Sequence, residues 1–299
     1  MKINGILNLD KPRGKTSFDM VALVRRLSGE RRVGHAGTLD PEATGVLPIC
    51  LGQGTRLAEF LVEGKKAYQA EIELGTATDT YDATGTITHT GDTSFLSMEQ
   101  VVAAVASFTG IVDQMPPAYS AIKYRGRPLY RWTRAGIDVP RKTRRVEFTE
   151  LRILGWDTPV LNLEVECSKG TYIRSLAHDL GQKLGCGAHL RNLVRLRSGP
   201  FHLSEGVSAA TIQDAFERGY WTDFMHPIDV AVLHLPPVTV DADDEKAIVN
   251  GRPPVLGDEE RPRGERCRAY SRDRRFLAIL LYDDTMERWQ PKKVFAACP

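Results

Sequence analysis

The sequence is poor in cysteine, and its cysteines are scattered. Five cysteines occur among 299 residues, and no two of them have the short CxxC spacing of a metal or redox site. The seven histidines form no HExxH-like arrangement that could bind zinc on a helix. We therefore predict reduced structural thiols, no metal and no other cofactor. The cysteines are Cys50, Cys167, Cys186, Cys267 and Cys298.

Long apolar runs are also missing. No stretch approaches the length of about eighteen residues that a membrane-spanning helix requires. The first residues lead directly into a predicted strand, so we expect no signal peptide. Gly14-Lys15-Thr16 resembles the end of a phosphate-binding loop, but the first glycine of that motif falls on Leu9. These absences exclude a P-loop enzyme and predict a cytoplasmic protein with no membrane partner.

Charge is nearly balanced, with a net value of +2, but it is distributed unevenly. From Lys123 to Arg145, nine lysines and arginines stand against one acidic residue, Asp138. Aromatic residues interleave with this run, a pattern that suits phosphate contacts and base stacking. A solvated basic face is the alternative. The aromatic residues are Tyr119, Tyr124, Tyr130 and Trp132.

Periodicity predicts an α+β fold. Alternating and apolar segments indicate strands at residues 5–10, 46–51, 67–74, 146–156, 160–167 and 188–196. Helices are expected at about 18–27, 55–62, 98–108, 128–135 and up to 184, and after Ser208, with caps at Thr16 or Ser17, Ser97 and Thr171. Strand pairs with few helices between them indicate a mixed, mainly antiparallel central sheet with flanking helices.

The pattern changes at about residue 231. A linker-like Leu-His-Leu-Pro-Pro segment and an acidic run at 241–245 precede a predicted strand at 276–281. We therefore predict two domains, 1–230 and a small β-rich domain at 231–299. The first domain carries the basic segment as an insertion at about 115–145.

The most distinctive stretch is the glycine-rich segment at residues 34–47, which we interpret as a loop that enters a buried strand. Asp40 lies at its centre, and Pro41 disfavours a helical conformation at that aspartate. An Asp-Pro pair by itself indicates only a turn. The complete string, Gly-His-Ala-Gly-Thr-Leu-Asp-Pro-Glu-Ala-Thr-Gly-Val-Leu, closely resembles the catalytic loop of the tRNA pseudouridine synthases of the B type.

This resemblance implies a pseudouridine synthase fold and an activity. Enzymes of the family isomerise uridine 55 in the T loop of tRNA, after the base has flipped out of its stack at a cost of a few kcal/mol. Asp40 is then the essential carboxylate. Whether it attacks the base, attacks the sugar or abstracts a sugar proton stays open. The resemblance further implies a monomer that needs no protein partner, and the β-rich segment resembles an RNA-binding PUA domain.

Two further motifs of the family provide the other candidate catalytic residues. Lys169-Gly170-Thr171-Tyr172-Ile173-Arg174 supplies Arg174, whose charge would hold a buried Asp40 ionised, and Tyr172, which would line the uracil pocket. Lys66-Ala67-Tyr68 supplies Tyr68, which by resemblance stacks on the target base and is a candidate to remove the proton from carbon 5. Without the resemblance, Tyr68 would be interpreted as a core tyrosine on a half-buried strand.

The resemblance also assigns supporting roles. His35 would lie at the RNA surface and help the loop to rearrange, and Leu193 would form an apolar wall of the pocket. Arg56 stands where a substrate-binding lysine is common, and Val194-Arg195 stands where many relatives have a basic pair. The basic insertion would clamp the T-arm of tRNA through Lys123, Arg125, Arg127, Arg141, Lys142, Arg144 and Arg145.

Two other functions fit part of the pattern. One is a guide-dependent pseudouridine synthase of an RNA–protein particle, which shares the Asp40 loop. The other is a non-catalytic protein that binds or folds tRNA. The basic insertion favours the stand-alone enzyme over the first. The joint presence of Asp40, Tyr68 and Arg174 favours an enzyme over the second.

Overall fold

The computed structural model describes residues 3–256 and 265–295. The expectations for the first two residues and for Cys298 fall outside this range. Seven α-helices occur in the described residues: α1 Ser17–Ser28, α2 Ala58–Glu63, α3 Met98–Ala106, α4 Leu129–Arg134, α5 Ile173–Leu184, α6 Ala209–Arg218 and α7 Ala242–Val249. Four short 3-10 helices span Gly52–Leu57, Leu203–Glu205, Trp221–Phe224 and Ile228–Val232.

Nineteen strands occur in the same part of the chain. The first nine are β1 Gly5–Lys11, β2 Val33–His35, β3 Thr44–Leu51, β4 Lys66–Leu74, β5 Thr76–Thr78, β6 Ile87–Thr90, β7 Gly110–Gln114, β8 Lys123–Tyr124 and β9 Arg127–Pro128. The others are β10 Arg144–Asp157, β11 Val160–Cys167, β12 Ala188–Ser198, β13 Phe201–His202, β14 Val207–Ser208, β15 Met225–His226, β16 Pro237–Val240, β17 Arg266–Ser271, β18 Phe276–Asp283 and β19 Arg288–Val294.

A sheet of eleven strands forms the centre of the molecule. Its main order is β14-β1-β3-β12-β4-β11-β10-β7, and β2, β13 and β15 pair with β3, β12 and β1. The pairs β1–β14 and β3–β12 are parallel, whereas the other pairs of this sheet are antiparallel. The predicted α+β fold with a mixed, mainly antiparallel sheet and flanking helices is therefore confirmed.

Strand β4 lies inside this sheet and shows why the alternating pattern was informative. Tyr68, Ala70, Ile72 and Leu74 are buried on one face. They pack in one apolar cluster with residues of α3 and α5, including Leu176. Burial of apolar side chains at about 25 cal/mol per Å² is the main force that holds these helices on the sheet. The candidate site described below is built on this layer of sheet and helices.

The predicted helix caps are confirmed at two of three sites. Thr16 and Ser97 each form a capping box, with Asp19 and Gln100 respectively. The prediction for Thr171 is wrong, because Tyr172 is the N-cap residue of α5. The Thr171 hydroxyl instead donates to the carbonyl of Ser168 at 2.9 Å.

The glycine-rich loop is shorter than predicted. Its first residues form β2, which pairs with β3, and β3 itself begins at Thr44. The predicted helix at 55–62 divides into a 3-10 helix, Gly52–Leu57, and α2. The basic run of the insertion continues into the central sheet, since Arg144 and Arg145 belong to β10 and pair with β7.

A second sheet, in the order β16-β17-β18-β19, confirms the small β-rich C-terminal unit. The acidic run at residues 241–245 forms the cap and first turn of α7, where Asp241 accepts hydrogen bonds from two backbone N–H groups. The negative charge of Asp241 interacts favourably with the positive end of the helix dipole. Ile279 and Phe295 pack in one apolar cluster with Ile6 and Leu57 of the larger part. The domain boundary and the PUA identity stay predictions.

The four cysteines in the described residues are free and buried. Burial raises the pKa of Cys50 and of Cys267 to about 12 and that of Cys167 to about 11. These thiols are therefore protonated near neutrality, as expected for structural cysteines. None of the helices that the structure describes is both long enough and apolar enough to span a bilayer.

Candidate active site

The loop between β2 and β3 is held to the N-terminus of α1. The Ser17 hydroxyl donates to the Leu39 carbonyl at 3.1 Å and accepts from the Leu39 N–H at 2.9 Å. The Pro41 carbonyl accepts from the Lys11 ammonium at 3.1 Å and from the Gly14 N–H at 2.9 Å. These bonds flank Asp40 on both sides, so its backbone has a defined position.

Asp40 and Arg174 form the ion pair that the motifs predicted. The Arg174 Nε lies 2.9 Å from an Asp40 carboxylate oxygen. Only 7% of the Arg174 side chain is exposed, whereas 44% of the Asp40 side chain is. Two carbonyls accept from the same guanidinium, that of Thr80 at 3.3 Å and that of Tyr119 at 3.0 Å. Arg174 is therefore fixed, and the free side of Asp40 faces open space.

The ionisation of Asp40 is balanced by opposing effects. Enclosure in the protein raises the pKa of Asp40 above its usual value. The charge and hydrogen bond of Arg174 act in the opposite direction, and Lys11 adds a smaller lowering effect. The negative charge of Asp82 raises the pKa further. Arg174 thus serves to keep the anion accessible in an environment that disfavours it.

Asp82 is a functional candidate that the sequence reasoning missed. Its carboxylate lies 3.5 Å from Arg174 Nη1, on the side away from Asp40's contact at Nε. The other carboxylate oxygen accepts from the hydroxyl of Thr80 at 2.7 Å and from the N–H of Thr84 at 3.0 Å. Asp82 is therefore a fixed second anion for Arg174. A Thr-, Asp- and Gly-rich loop gives no sequence signal for this role.

A cavity of about 260 Å³ opens beside Asp40. Tyr68 and Tyr172 provide aromatic lining, and Leu193 provides an apolar contact. A neighbouring cavity of about 150 Å³ shares Asp40, Arg174 and Leu193. Asp40 therefore lies at the junction of two cavities with aromatic and apolar walls. At this position its carboxylate can contact both a flat ring and the group attached to that ring.

Tyr68 is buried, and its surroundings determine its protonation. Burial raises the pKa of its phenol, while the charge of the nearby Arg195 guanidinium lowers it by a smaller amount. The phenol is therefore neutral near pH 7. Arg195 itself lines the same cavity, although the sequence reasoning noted it only as part of a departure from the family pattern.

Tyr172 is positioned by a side chain from β7. Its N–H donates to the Gln114 side-chain oxygen at 2.8 Å, and its carbonyl accepts from the Gln114 amide at 3.0 Å. Burial raises the pKa of the Tyr172 phenol. Since Gln114 directly precedes the insertion, the start of the insertion and the cavity wall are connected.

Two buried lysines stand near the site. The Lys66 ammonium, which lies in the cavity wall, forms no ion pair with any carboxylate that the structure describes. It donates to the carbonyls of Leu61, Val62 and Gly64 at the end of α2. Burial lowers the pKa of Lys66 and of Lys11 to about 8. Both act as donors that hold loops in place.

Two predicted residues do not line either cavity. His35 ends β2 opposite Ile49, and burial together with the charge of Arg195 lowers the pKa of its ring, so it is neutral near pH 7. Arg56 donates to the Val294 carbonyl at 2.6 Å and lies 4.8 Å from the centre of the Phe295 ring. The structure thus places Arg56 against the C-terminal sheet, and its role in substrate binding stays a prediction.

The basic insertion presents its cations outward. Lys123, Arg125, Arg127, Lys142, Arg144 and Arg145 are exposed, whereas Arg141 is half-buried and donates to the Pro116 carbonyl. Three arginines stack over aromatic rings at 5.5 to 5.8 Å. Among residues 3–256 and 265–295, no carboxylate forms an ion pair with these cations. This surface is free to bind a polyanion.

An aspartate–arginine pair beside a tyrosine-walled cavity, on a mixed sheet of this kind, is the arrangement of a pseudouridine synthase. A model for the N-terminal domain of the TruB family of pseudouridylate synthases matches residues 25–173. A model for the C-terminal domain of tRNA pseudouridylate synthase B matches residues 174–233. The chain belongs to the TruB family of pseudouridylate synthases.

Relatives match over nearly the whole chain. A protein of Dehalococcoides mccartyi named tRNA pseudouridine synthase B is 45% identical over 99% of this chain and 98% of its own length. The protein of that name in Geobacter sulfurreducens is 42% identical over 88% of this chain and 86% of its own length.

Solved structures show the same fold. A chain in a Cbf5-Nop10-Gar1 complex superposes with a TM-score of 0.75 at 27% identity, over 98% of this chain and 85% of that one. A chain of an H/ACA RNP bound to a substrate RNA containing 2'-deoxyuridine gives a TM-score of 0.73 at 26% identity, over the same shares.

Proposed function

We propose that the protein converts uridine to pseudouridine in tRNA, and that its target is uridine 55 in the T loop. The observation that carries this proposal is the Asp40–Arg174 pair at 2.9 Å, at the junction of two cavities whose walls include Tyr68, Tyr172 and Leu193. The names of the relatives, tRNA pseudouridine synthase B, support the same substrate.

The reaction requires only rearrangement within the nucleotide. The bond between ribose C1′ and uracil N1 breaks, a bond between C1′ and C5 forms, the hydrogen of C5 leaves as a proton, and N1 finishes protonated. Asp40 acts at the ribose or at the base as the essential anion. Arg174 keeps that anion available, and Tyr68 is placed to stack on the ring and to receive the proton from C5.

The substrate base must leave its stack to reach this site. Extrusion costs a few kcal/mol, which contacts with the flipped base must offset. Stacking on an aromatic ring contributes about 1–3 kcal/mol per base, so Tyr68 and Tyr172 together could supply this amount. We assign His35 to the refolding of the loop during flipping, because it directly precedes the loop segment that carries Asp40.

The insertion and the C-terminal sheet would hold the RNA outside the cavity. The unpaired cations of the insertion fit the phosphates of the T-arm. Its first residues connect to the site, since the Tyr119 carbonyl accepts from Arg174. The PUA-like sheet is proposed as a second RNA contact. No protein partner is needed in this scheme, and the monomer carries all the named residues.

A guide-dependent synthase is the second candidate, because one structural relative is a chain of an H/ACA RNP bound to a substrate RNA. One experiment separates the possibilities. Pseudouridine is mapped at single-nucleotide resolution in a tRNA transcript before and after treatment with the pure protein, without guide RNA or other proteins. We expect conversion at position 55 of the transcript. A second reaction contains added guide RNA, and conversion in that reaction alone supports the second candidate. No conversion in either reaction contradicts both candidates.

Neutralising the insertion should weaken binding to all tRNAs alike. Each phosphate contact that is lost lowers the slope of log affinity against log salt by about one. We expect a triple glutamine variant to lose up to about three in slope, as measured by filter binding over a salt series. An unchanged slope would show that the RNA binds elsewhere. The substituted residues are Lys142, Arg144 and Arg145.

A triple variant outside the insertion is the control. Its three cations already pair with carboxylates, at Glu164, Asp214 and Asp243, so we expect its slope to match the parent. A similar loss in both variants would indicate a general effect of net charge. The control residues are Arg152, Arg218 and Lys246, each changed to glutamine.

Asp82→Asn should shift the acid side of the pH–rate profile to lower pH. Activity requires ionised Asp40, so it is lost as the pH falls through the raised pKa of Asp40. The Asp82 charge contributes to that rise, and its removal lowers the pKa of Asp40. Single-turnover rates measured across the acid range check this shift. If the acid side of the pH–rate profile stays at the same pH or moves to higher pH, the electrostatic role of Asp82 is contradicted. Asp92→Asn, at an exposed carboxylate bonded to Ser94, is the control.

A further inference from the structure

Arg195 is a buried cation that joins the two ends of the Asp40 loop. Its side chain is among the largest in the protein that are fully buried, with 1% of the residue exposed. Nε donates to the Val46 carbonyl at 2.6 Å, and Nη2 donates to the Gly37 carbonyl at 3.1 Å. Gly37 precedes Asp40 and Val46 follows it, so one guanidinium fixes the chain on both sides of the carboxylate.

The backbone of Arg195 makes the same connection. In β12, Arg195 is opposite Gly45 of β3 on one side and opposite Tyr68 of β4 on the other. A Cβ atom at Gly45 would lie 2.3 Å from the Arg195 carbonyl oxygen, so only glycine permits this approach. The side chains of Arg195 and Tyr68 line the same cavity, and the charge of Arg195 lowers the pKa of the phenol. Arg195 therefore contacts both walls of the cavity.

The charge of Arg195 is costly where it lies. A buried cation is normally paired with a carboxylate, because desolvation otherwise costs several kcal/mol. Within the described part of the chain, Arg195 has no ion-pair partner, and its side-chain hydrogen bonds go to two carbonyls. A neutral side chain would fill the same space without this cost. The charge and the forked shape of the group therefore call for a functional explanation.

A β-bulge separates Arg195 from Arg197 on β12. The pairing of β12 with β4 shifts register between Arg195 and Arg197, and bulges near active sites commonly redirect a side chain. Arg197 consequently points to the opposite face of the sheet, where it pairs with Glu166. The strand thus offers two arginines, two positions apart, of which one lines the cavity.

We propose that Arg195 is a positioning residue of the reaction, which holds the Asp40 loop and the Tyr68 oxygen at a fixed distance across the cavity. This inference rests on the proposed function and goes beyond it by assigning a role to a residue that does not touch Asp40. Its fork supplies donors in a rigid plane, and a lysine ammonium on a flexible stem cannot reproduce that geometry.

Arg195→Gln and Arg195→Lys test the proposal by single-turnover kinetics with enzyme in excess over a tRNA transcript. A misplacement of about 1 Å costs roughly 10²-fold in rate, so we expect a loss of this order for Arg195→Gln. For Arg195→Lys, which keeps the charge but not the fork, we expect a loss of about tenfold. The affinity for tRNA should stay within about threefold of the parent, because Arg195 is buried away from RNA phosphates.

Arg197→Gln is the matched control on the same strand. It removes an arginine and its ion pair with Glu166 on the far face of the sheet, so we expect a rate within about threefold of the parent. Thermal unfolding of every variant checks the fold. If Arg195→Gln does not fold, Arg195→Lys decides. A rate equal to the parent for whichever of the two folds would overturn the proposal.

A second measurement separates positioning from a general loss of stability. Arg195→Gln is combined with Tyr68→Phe, and we expect the double variant to lose less than the product of the single losses, because part of the effect of Arg195 passes through the Tyr68 oxygen. If the rate losses of the two single variants multiply in the double variant, Arg195 does not act through the Tyr68 oxygen. Failure of the proposed function would appear differently, since the parent protein itself would form no pseudouridine.

Discussion

Asp40→Asn should reduce pseudouridine formation to the uncatalysed level while tRNA binding stays within about threefold of the parent. The substitution changes the volume little but removes the anion on which each form of the chemistry depends. The measurement is a single-turnover assay with enzyme in excess, together with a binding titration on the same transcript. Appreciable turnover by a verified Asp40→Asn preparation would contradict the central assignment.

The fold should survive this substitution for a reason that the structure provides. Loss of one partner from a buried ion pair usually destabilises by several kcal/mol, because the remaining charge is left uncompensated. Here the Arg174 guanidinium keeps Asp82 at 3.5 Å and two carbonyl acceptors. We therefore expect a small change in unfolding temperature. Asp157→Asn, the same change at the end of β10, is the control and should leave both the rate and the fold unchanged.

The site residues that could be predicted lie in continuous sequence motifs. Asp40, Tyr68, Tyr172 and Arg174 all reach one cavity, as their motifs suggested. In each of these segments, neighbouring residues indicate the local structure. Pro41, for example, indicates a turn next to Asp40. The central strands were predictable for a similar reason, since period-two alternation reports which face is buried.

The residues that were missed are defined by partners far away in the chain. Arg195 binds carbonyls more than a hundred positions earlier, and Lys11 binds the Pro41 carbonyl. Backbone carbonyls have no residue identity, so sequence carries no trace of such bonds. Asp82 was hidden for a different reason, because its segment reads as an ordinary polar loop.

Arg56 shows how tertiary packing sets the partners of a basic side chain. Its place in the family pattern suggested RNA, but its guanidinium binds the Val294 carbonyl and stacks on Phe295. The neighbouring Lys293 ammonium in turn donates to the Arg56 carbonyl at 2.6 Å. Which surface a basic side chain meets depends on how the C-terminal sheet packs on the larger sheet. That packing is tertiary information and is not encoded in local periodicity.

Tyr68→Phe should slow pseudouridine formation strongly and leave tRNA binding normal. If the ring only stacks on the flipped uracil, phenylalanine keeps the stacking face and should cost little. If the phenol oxygen takes the C5 proton, phenylalanine cannot replace it, and loss of general-base help costs about 10²–10⁴-fold, roughly 3–5 kcal/mol. We expect the larger loss, because Arg195 lies opposite Tyr68 on the neighbouring strand and lines the same cavity, and its charge lowers the pKa of the phenol, an effect that a purely stacking ring would not need.

The protonation of Tyr68 limits how this step can occur. Burial raises the pKa of the phenol, so the group is neutral at working pH and is a weak base. Proton transfer therefore requires the phenolate form, which the charge of Arg195 favours, and a C5 made strongly acidic by the new bond to the sugar. Tyr282→Phe, at a half-buried tyrosine packed edge-on against Trp289, is the control and should match the parent. Single-turnover rates for Tyr68→Phe within about tenfold of the parent would refute proton transfer and leave Tyr68 as a stacking surface.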